Sequence, residues 1–521
     1  MKVVSAQSVV TGAGRAGSAI LIDGARVAAI GERDDLLASG RSEEQFPGAT
    51  IVPGFRDAHI HAAPYASLLA GCSLKNATSI DDMIERIAAF ADTIDPESPV
   101  VATRLDDEHL QEGRLPGRAD LDRAVPDRPL VIYRYCGHIA VANSFALDQS
   151  GISAATDDPD GGSIDRDQAG RPTGVLRETA ASLISPALAR GQGLQPAQLI
   201  AGLHRLAGLG ITSIGAMMGY GEQPSEQLEA ELELWRSVAS ELPINVFGIA
   251  ITDDPRMLEH AADVLTTSGP RLRWHGVKRF ADGSLGGHTA AMHSAFADDS
   301  GVGTYRLTAA DAAIAQHSID LGGSVCIHAI GDRAVDGVLD VFETLIAAGA
   351  DPDRLRMEHA SILSPEQIVR FAQSGTTACV QPAFLASESD WLFKRVGESR
   401  RGWVYPFRSM TDAGIPLAGS SDSPVEPPHP LWGMAAAIDR YGILPDEALA
   451  PLDSLALFTQ GAARSLHEPT PLHIGSPADF VVLDTDPSVA DAQAIHDAQV
   501  LATYVDGEPI TLDRNAPAWV D

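Results

Sequence analysis

The residues best suited to chemistry in this sequence are potential metal ligands, and they recur at the ends of short apolar runs. His59 and His61 form a His-X-His pair at the end of the run ATIVPGFRDAHIH. Residues two apart on a strand point to the same side, so both imidazoles would face one space. Three more apolar runs end near His328, His359 and Asp422. Neutral imidazoles combined with a carboxylate suit zinc or another borderline divalent ion.

Lys278, in the stretch GVKRFADGSLGG, is the sixth candidate ligand. Lysine accounts for only four of the 38 basic residues, so a lysine rather than an arginine at this position indicates a specific role. An ammonium 4 Å from a divalent cation is repelled by roughly 8 kcal/mol at an effective dielectric near 20. Burial and nearby cations favour loss of its proton. A neutral amine can add carbon dioxide to form a carbamate, which the permanently charged arginine cannot do. The sequence predicts a carbamylated Lys278 that bridges two ions; a simple ion pair with Asp282 is the alternative.

The six candidates divide naturally between two ions. We expect one ion to be held by His59, His61 and Asp422, and the other by His328 and His359. A metal-bound water has its pKa lowered to about 7 and would act as a hydroxide nucleophile. Asp422 is the predicted catalytic residue, because its second oxygen can accept the water's proton and deliver it to the departing group. A pure ligand role or a helix cap is the alternative for Asp422.

The elements that would position these residues are eight apolar strand-like runs, most of them followed by an amphipathic helical segment. Such alternation with continuously apolar strands predicts an α/β fold with a parallel (β/α)₈ barrel. Active sites of this barrel lie at the C-terminal ends of the strands, where the candidate ligands occur.

The alternation also predicts the domain boundaries. The two termini carry short β-branched runs separated by turns, which indicate a small β-sandwich domain built from both ends of the chain. One interval between the first two runs is too long for a single connection and indicates an inserted subdomain. The predicted order is residues 1–50 for the N-terminal part of the sandwich, 51–61 for the first barrel strand, 62–200 for the insertion, 201–470 for the rest of the barrel and 471–521 for the C-terminal part of the sandwich.

Four further residues are candidates for substrate contact. His138 ends a strand-like run of the insertion, in YCGHIAVAN, where a satisfied core histidine is equally plausible. Asp282 and His288 lie on the loop after the fourth run and could line the mouth of the barrel. Gln381 ends the seventh run, where it could face a ligand or fill a barrel layer.

Composition excludes several classes of partner. The formal charge of -32 argues against nucleic acid and anionic membranes. No apolar run reaches the roughly 18 residues of a membrane span, and the N-terminus has no signal-peptide core. The four cysteines are widely spaced, which favours reduced thiols and a cytoplasmic location. A small molecule is the expected substrate, and a homodimer is the default oligomer.

Taken together, the motifs resemble the amidohydrolase superfamily, and within it the YtcJ-like branch that includes N-substituted formamide deformylases. The resemblance covers essentially the whole chain, and the motifs are specific in combination. They are PGFRDAHIH, YCGHIAVANSFAL, DPDGGSIDRDQAGRPTGVLRE, GVKRFADGSLGG, VCIHAIGDRAVD, RMEHA, VQP, GSSDSPV and the ending SPADFVVLDTDP.

The resemblance implies a barrel with a β-sandwich and metal-dependent hydrolysis of a C–N bond in an amide, formamide or cyclic amide. The ligand positions of the family correspond to the six residues already named: His59, His61, Lys278, His328, His359 and Asp422. Two departures bear on the substrate. His288 stands where relatives commonly have arginine, and VVATRLDDEHL lacks the Gly-Trp usual in that region.

Two other functions remain open from the sequence. A mononuclear deaminase on the same barrel would not need Lys278 as a ligand, and a metal content near one rather than two per chain would identify it. A non-catalytic assembly protein is the third possibility, since a fold does not guarantee chemistry. Loss of metal ligands is the usual mark of that outcome, and none of the six is missing.

Overall fold

The computed structural model describes residues 1–37, 41–134, 139–159, 162–188, 193–219 and 224–511. The chain forms two compact units. The first comprises Met1–Ala63 and Ile200–Asp521, and the second comprises Pro64–Leu199.

The described residues form the strands of three β-sheets. In chain order they are β1 (Lys2–Thr11), β2 (Gly14–Asp23), β3 (Arg26–Gly31), β4 (Ser42–Pro53), β5 (Phe55–Ile60), β6 (Cys72–Ser73), β7 (Val100–Leu105), β8 (Leu130–Arg134), β9 (Ile139–Ala142), β10 (Gly162–Arg166), β11 (Pro172–Glu178), β12 (Ile211–Met218), β13 (Asn245–Ile251), β14 (Leu272–Phe280), β15 (Ser324–Ala329), β16 (Leu355–His359), β17 (Thr377–Val380), β18 (Leu417–Gly419), β19 (Phe480–Leu483), β20 (Val500–Val505) and β21 (Glu508–Pro509).

Helices separate most of the strands. They are α1 (Arg33–Leu36), α2 (Ala62–Leu69), α3 (Ile80–Ala91), α4 (Arg118–Ala124), α5 (Ser144–Gln149), α6 (Ser185–Leu188), α7 (Pro196–Gly208), α8 (Pro224–Val238), α9 (Pro255–Thr267), α10 (Ala309–Asp320), α11 (Asp332–Ala347), α12 (Pro365–Ser374), α13 (Phe384–Glu388), α14 (Leu392–Val396), α15 (Phe407–Asp412), α16 (Pro430–Asp439), α17 (Pro451–Ala456), α18 (Ala462–Ser465) and α19 (Ala492–Asp497).

The first unit contains the predicted barrel. Its eight-stranded sheet has the order β18-β17-β16-β15-β14-β13-β12-β5, and the pairs within it are parallel. Two backbone hydrogen bonds join the ends of β5 and β18: Asp422 N–H to the His59 carbonyl at 2.9 Å, and His61 N–H to the Ser423 carbonyl at 2.8 Å. The sheet therefore closes at its first and last strands, and the prediction of a (β/α)₈ barrel is confirmed.

The barrel forms because its strands are apolar on both faces and its helices are amphipathic. Every residue of β12, β13 and β16 is buried, as expected for parallel strands covered on both sides. Helix α12 buries Ile368 and Phe371, and its N-terminus is capped by Ser364. Inside the ring, Met217, Ile249, Ile251 and Cys326 form an apolar cluster with others such as Phe280.

The first barrel strand begins later than its predicted start at residue 51. Strand β4 of the terminal sheet continues to Pro53, and β5 begins only at Phe55. Gly54 separates them, and a Cβ there would lie 2.4 Å from Thr212 Oγ1. The chain needs glycine where it passes from one sheet to the other so closely against β12.

The predicted terminal domain is a seven-stranded sheet in the first unit. Its order is β21-β20-β19-β4-β1-β2-β3, so strands from both ends of the chain pair within it. Strand β4 pairs in parallel with β1 and antiparallel with β19. A buried cluster that includes Val4, Ile20, Ile51 and Phe480 covers one face.

The second unit, Pro64–Leu199, has its own six-stranded sheet in the order β10-β11-β9-β8-β7-β6. It also has its own hydrophobic clusters, one around Met83, Leu121 and Ile132 and another around Leu147 and Leu176. Within the described residues, no helix combines the length and the hydropathy needed to span a bilayer.

Candidate metal centre

The first half of the site lies where β5 and β18 meet, and it brings together three predicted ligands. Asp422 Oδ1 lies 3.1 Å from His59 Nε2 and 3.3 Å from His61 Nε2. The closing backbone hydrogen bonds of the barrel involve the same three residues. Asp422 has a φ of 58°, a conformation that aspartate tolerates better than most residues. We call His59, His61 and Asp422 the seam side of the site.

His359 and His328 extend the cluster along the strand ends. The centroid of the His359 ring lies 5.3 Å from the centroid of the His59 ring and 4.4 Å from that of the His328 ring. The backbone of His359 leaves the extended conformation, with φ 72°, where β16 ends. Phe384, at the start of α13, stacks on the His359 ring with centroids 6.3 Å apart.

Lys278 lies on β14, opposite Cys326 of β15 and thus two residues before His328 along the neighbouring strand. Its side chain is fully buried, and its Nζ lies 5.1 Å from the centre of the Phe280 ring. Among the described residues, Lys278 Nζ has no hydrogen bond or ion pair. The alternative pairing with Asp282 is therefore not found. We call Lys278 and His328 the lysine side of the site.

Burial favours the uncharged forms of the basic groups. It lowers the pKa of Lys278, although the negative charges of Glu358 and Asp422 oppose this. Burial also lowers the pKa of His61, and it lowers the pKa of His359 well below its usual range. Burial acts upward on Asp422, but the positive field and hydrogen bonds of His59 and His61 outweigh it and hold the pKa of Asp422 well below its usual range.

Three of the imidazoles have one nitrogen engaged by a neighbouring acceptor. His59 Nδ1 lies 2.8 Å from Glu358 Oε2, and His359 Nδ1 lies 2.8 Å from Gln381 Oε1. His328 Nε2 lies 2.9 Å from the Gly283 carbonyl oxygen. Because these partners accept hydrogen bonds, each ring donates from the named nitrogen, and the other nitrogen is the one that can bind an ion.

The residues present fit a divalent cation. His59, His359 and Asp422 can each place one ligand atom within 4.8 Å of the others. His59 Nε2 and Asp422 Oδ1 are 3.1 Å apart, and a cation bound by both atoms would take the place of the proton that otherwise joins them. Partners that fix the tautomer of ligating histidines are a regular feature of metal sites.

The other predicted residues are placed as follows. Gln381 is buried; besides its contact with His359, its Nε2 donates to Ser420 Oγ at 2.9 Å. The Asp282 carboxylate is buried and accepts from the backbone N–H groups of Ala291, Ile330 and Gly331. This geometry favours a loop-ordering role for Asp282 over the predicted substrate contact.

His288 is partly exposed on the loop after β14. Its Nε2 lies 3.1 Å from Asp298 Oδ1, and its ring packs edge-on against Phe296. His138 lies outside the described residues, so its predicted role stays a prediction.

Two carboxylates that are not among the predicted site residues support the site. Glu358 is fully buried between His59 and Arg356, whose Nε donates to Glu358 Oε1 at 2.6 Å. Asp57 accepts from the backbone N–H groups of His59 and Ser421, so it links the two strands at the closure. Burial raises the pKa of Asp57 to about 6.

A signal for both carboxylates exists in the sequence. Asp57 and Glu358 are charged residues inside runs that are otherwise buried strands, where acids are rarely found without a partner. Each lies within two residues of a predicted histidine ligand, Asp57 before His59 and Glu358 before His359.

The family match, the similar sequences and the similar structure all relate this chain to metal-dependent hydrolases or amidohydrolases. Residues 47–511 match the amidohydrolase family. The sequence is 28% identical to YtcJ of Bacillus subtilis (strain 168) over 88% of this chain and 89% of that one. It is also 28% identical to the N-substituted formamide deformylase of Arthrobacter pascens over 94% of both chains. In fold, it resembles the crystal structure of an uncharacterized metal-dependent hydrolase from Pyrococcus furiosus, with a TM-score of 0.76 and 29% identity over 94% of this chain and 99% of that one.

Proposed function

The chain belongs to the amidohydrolase family, and from this premise we propose that it is a metal-dependent hydrolase that cleaves a C–N bond in an amide, formamide or cyclic amide. The observation that carries the proposal is the convergence of His59, His61, His359 and Asp422 at one end of a closed barrel. The similarity to a formamide deformylase over nearly the whole chain supports the choice of bond.

Two divalent ions, with zinc as the first candidate, suit this set of donors. The seam side would hold one ion, and His328 and His359 would hold the other. Zinc accepts imidazole nitrogen and carboxylate oxygen, the donor types present here. A bound divalent cation lowers the pKa of a coordinated water and polarises a carbonyl oxygen.

Lys278 is the proposed bridge between the two ions, as a carbamate. The support is that its amine is buried, has no hydrogen-bond partner among the described residues and has its pKa lowered by burial. An amine that loses its proton can attack carbon dioxide. The product carries two oxygens and a negative charge into a site that would otherwise hold excess positive charge.

Asp422 is the proposed proton carrier. In hydrolysis, the oxygen of water bonds to the carbonyl carbon and the C–N bond breaks, so one proton must move from the water to the leaving nitrogen. Asp422 is suited to this transfer because its Oδ1 faces both seam-side histidines, and a carboxylate that binds an ion through one oxygen has a second oxygen that can accept a proton and release it.

An activity screen with metal analysis tests the proposal. The zinc-loaded protein would be assayed against N-formyl, N-acyl and cyclic amides, and its zinc content would be measured per chain. Turnover of one class at a metal content near two would support the binuclear hydrolase. Fully loaded protein that hydrolyses none of these classes would contradict it.

A mononuclear deaminase is the second candidate. The observation that favours it is that His59, His359 and Asp422 already bring three ligand atoms together without Lys278. A metal content near one at full activity, with release of ammonia from an aminated ring, would identify this function.

A further inference from the structure

We propose that Glu358 is a positioning residue that fixes the tautomer of His59 and thereby sets the affinity of the seam side for its ion, with Arg356 keeping Glu358 in place. This inference rests on the metal site of the proposed function. It goes further by assigning a role to two residues that do not themselves contact the ion.

Glu358 lies behind His59, on the side away from Asp422. Its Oε2 is 2.8 Å from His59 Nδ1, while His59 Nε2 is 3.1 Å from Asp422 Oδ1. The His59 ring is thus held between two carboxylates, one at each nitrogen. A carboxylate only accepts hydrogen bonds, so once an ion takes the lone pair of Nε2, the single proton of the ring lies on Nδ1 and is donated to Glu358.

Arg356 explains why Glu358 can remain a carboxylate in this position. The two residues are two apart on β16, and Arg356 Nε donates to Glu358 Oε1 at 2.6 Å. Both side chains are at most 2% exposed, so the charge of each needs the other. Without the guanidinium, Glu358 would lose the hydrogen bond that holds its carboxylate in place opposite His59 Nδ1.

The end of β16 lets adjacent residues serve the same cluster. In a regular strand, Glu358 and His359 would point to opposite sides. The positive φ of His359 ends that alternation, and both side chains reach the histidines. One short segment thereby provides a ligand of one ion and the support for a ligand of the other.

Glu358 is not itself placed as a metal ligand. His59, Glu358 and Cys379 do bring three potential ligand atoms within 4.8 Å of one another. However, Arg356 binds one oxygen of Glu358, and its positive charge would repel a cation there.

The test compares Glu358→Gln with Glu231→Gln. Glu231, on α8, also accepts two N–H hydrogen bonds, from the Gly219 backbone at 2.9 Å and from Trp235 Nε1 at 3.1 Å, and it makes no contact with the predicted ligands. Zinc affinity of the full chain would be measured by competition with a chelator, together with the unfolding midpoint of metal-free protein. We expect Glu358→Gln to weaken binding of one zinc ion by about 10- to 100-fold. Glu231→Gln should bind zinc like the wild type.

Nitrogen-15 spectra of histidine in zinc-loaded protein give a readout that stability alone does not change. The His59 signals would be assigned by their absence from His59→Gln. We expect a protonated Nδ1 that is hydrogen-bonded to a carboxylate in the wild type and in Glu231→Gln, and a shifted Nδ1 signal in Glu358→Gln, where an amide replaces that carboxylate. If Glu358→Gln does not fold, the wild-type spectrum still decides, because a His59 protonated on Nε2 overturns the proposal.

The outcomes separate this inference from the proposed function. Zinc affinity in Glu358→Gln equal to that of the wild type overturns the positioning role alone. Loaded wild type that shows the expected tautomer but hydrolyses no amide supports the positioning role and counts against the proposed hydrolase. Wild-type protein that binds no divalent ion overturns both.

Discussion

The two sides of the candidate metal centre are built differently. On the seam side, Asp422 contacts two imidazoles, Glu358 orients His59 and backbone hydrogen bonds join the strands that carry the ligands. On the lysine side, His328 is oriented by a backbone carbonyl, and Lys278 Nζ has no polar partner among the described residues.

This difference indicates which part of the site the fold assembles by itself. The seam side consists of unmodified side chains, and one of them, Asp422, is already an anionic ligand. The lysine side needs a chemical addition before it offers an anionic ligand. We therefore expect the seam side to bind its ion more tightly and the lysine side to depend on carbon dioxide.

The largest expected effect comes from removing the charge of the seam side. Asp422→Asn should reduce kcat/KM by at least about 10³-fold, because the proton carrier and a ligand are lost together. Steady-state kinetics and zinc content would measure this. The exposed Asp412→Asn on α15 is the matched control and should behave as the wild type. Near-normal activity in Asp422→Asn would contradict its proposed role as a proton carrier.

The next largest effect should distinguish the two sides directly. Lys278→Gln removes the amine proposed to form the bridge, so zinc content should fall from near two to near one per chain. Activity should fall on the order of 10²- to 10³-fold. Lys394→Gln on α14, at an exposed position, is the control. Retention of two ions in Lys278→Gln would show that the carbamate is not needed.

A smaller effect is expected from the support of His359. Gln381→Leu removes the acceptor of His359 Nδ1 while keeping a buried side chain of similar size. Zinc affinity should fall by about 10-fold, with most of the activity restored at high zinc. Gln367→Leu, a buried glutamine on α12 that bonds only to backbone and Ser364, is the comparison. Equal zinc affinities in the two variants would show that the contact with His359 does not matter.

The smallest expected effect concerns Asp479, which lies away from the metal site. It tests whether the pH dependence of the free energy of unfolding comes from the metal site alone. Burial raises the pKa of Asp479 to about 6, although Arg56 opposes this. A carboxyl whose pKa rises on folding stabilises the folded state while protonated. That stabilisation is complete below about pH 4 and is lost as pH rises through about 6.

Asp479→Asn removes this titration. Relative to the variant, the wild type should therefore lose on the order of 2 kcal/mol of unfolding free energy between pH 4 and pH 7. Urea unfolding of metal-free protein at several pH values would measure it. Asp34→Asn, at a side chain that is 93% exposed, should show no such trend. A pH-independent difference between Asp479→Asn and the wild type would contradict the prediction.

Much of the fold could be predicted because periodicity is a local property. Each of the eight apolar runs contains a barrel strand. The ligands could be predicted because the C-terminal ends of all the strands lie at the same end of such a barrel, where its active site is found. The start of the first strand was harder to predict. Residues 49–61 read as one apolar run, and only close packing of Gly54 against Thr212 divides it between two sheets.

The roles of the supporting residues could not be predicted, since those roles depend on contacts between distant strands, although acids inside buried strands mark Asp57 and Glu358 as unusual. Glu358 meets His59 across 299 positions of sequence, and Asp57 meets Ser421 across 364. Gln381 was predicted at the right strand end, but nothing local shows whether an amide faces a substrate or a histidine. The loop-ordering role of Asp282 likewise depends on three amide groups that its own neighbours do not reveal.

The position of the barrel closure has a consequence for how the protein matures. His59 and Asp422 lie at opposite ends of the barrel sequence, and they meet only when the first and last strands pair. A folding intermediate that lacks its final strand would have no complete seam-side ligand set. Tight binding of the seam-side ion would therefore show that the first and last strands of the barrel have paired. Metal added during refolding should consequently trap the finished barrel without accelerating the steps that precede it.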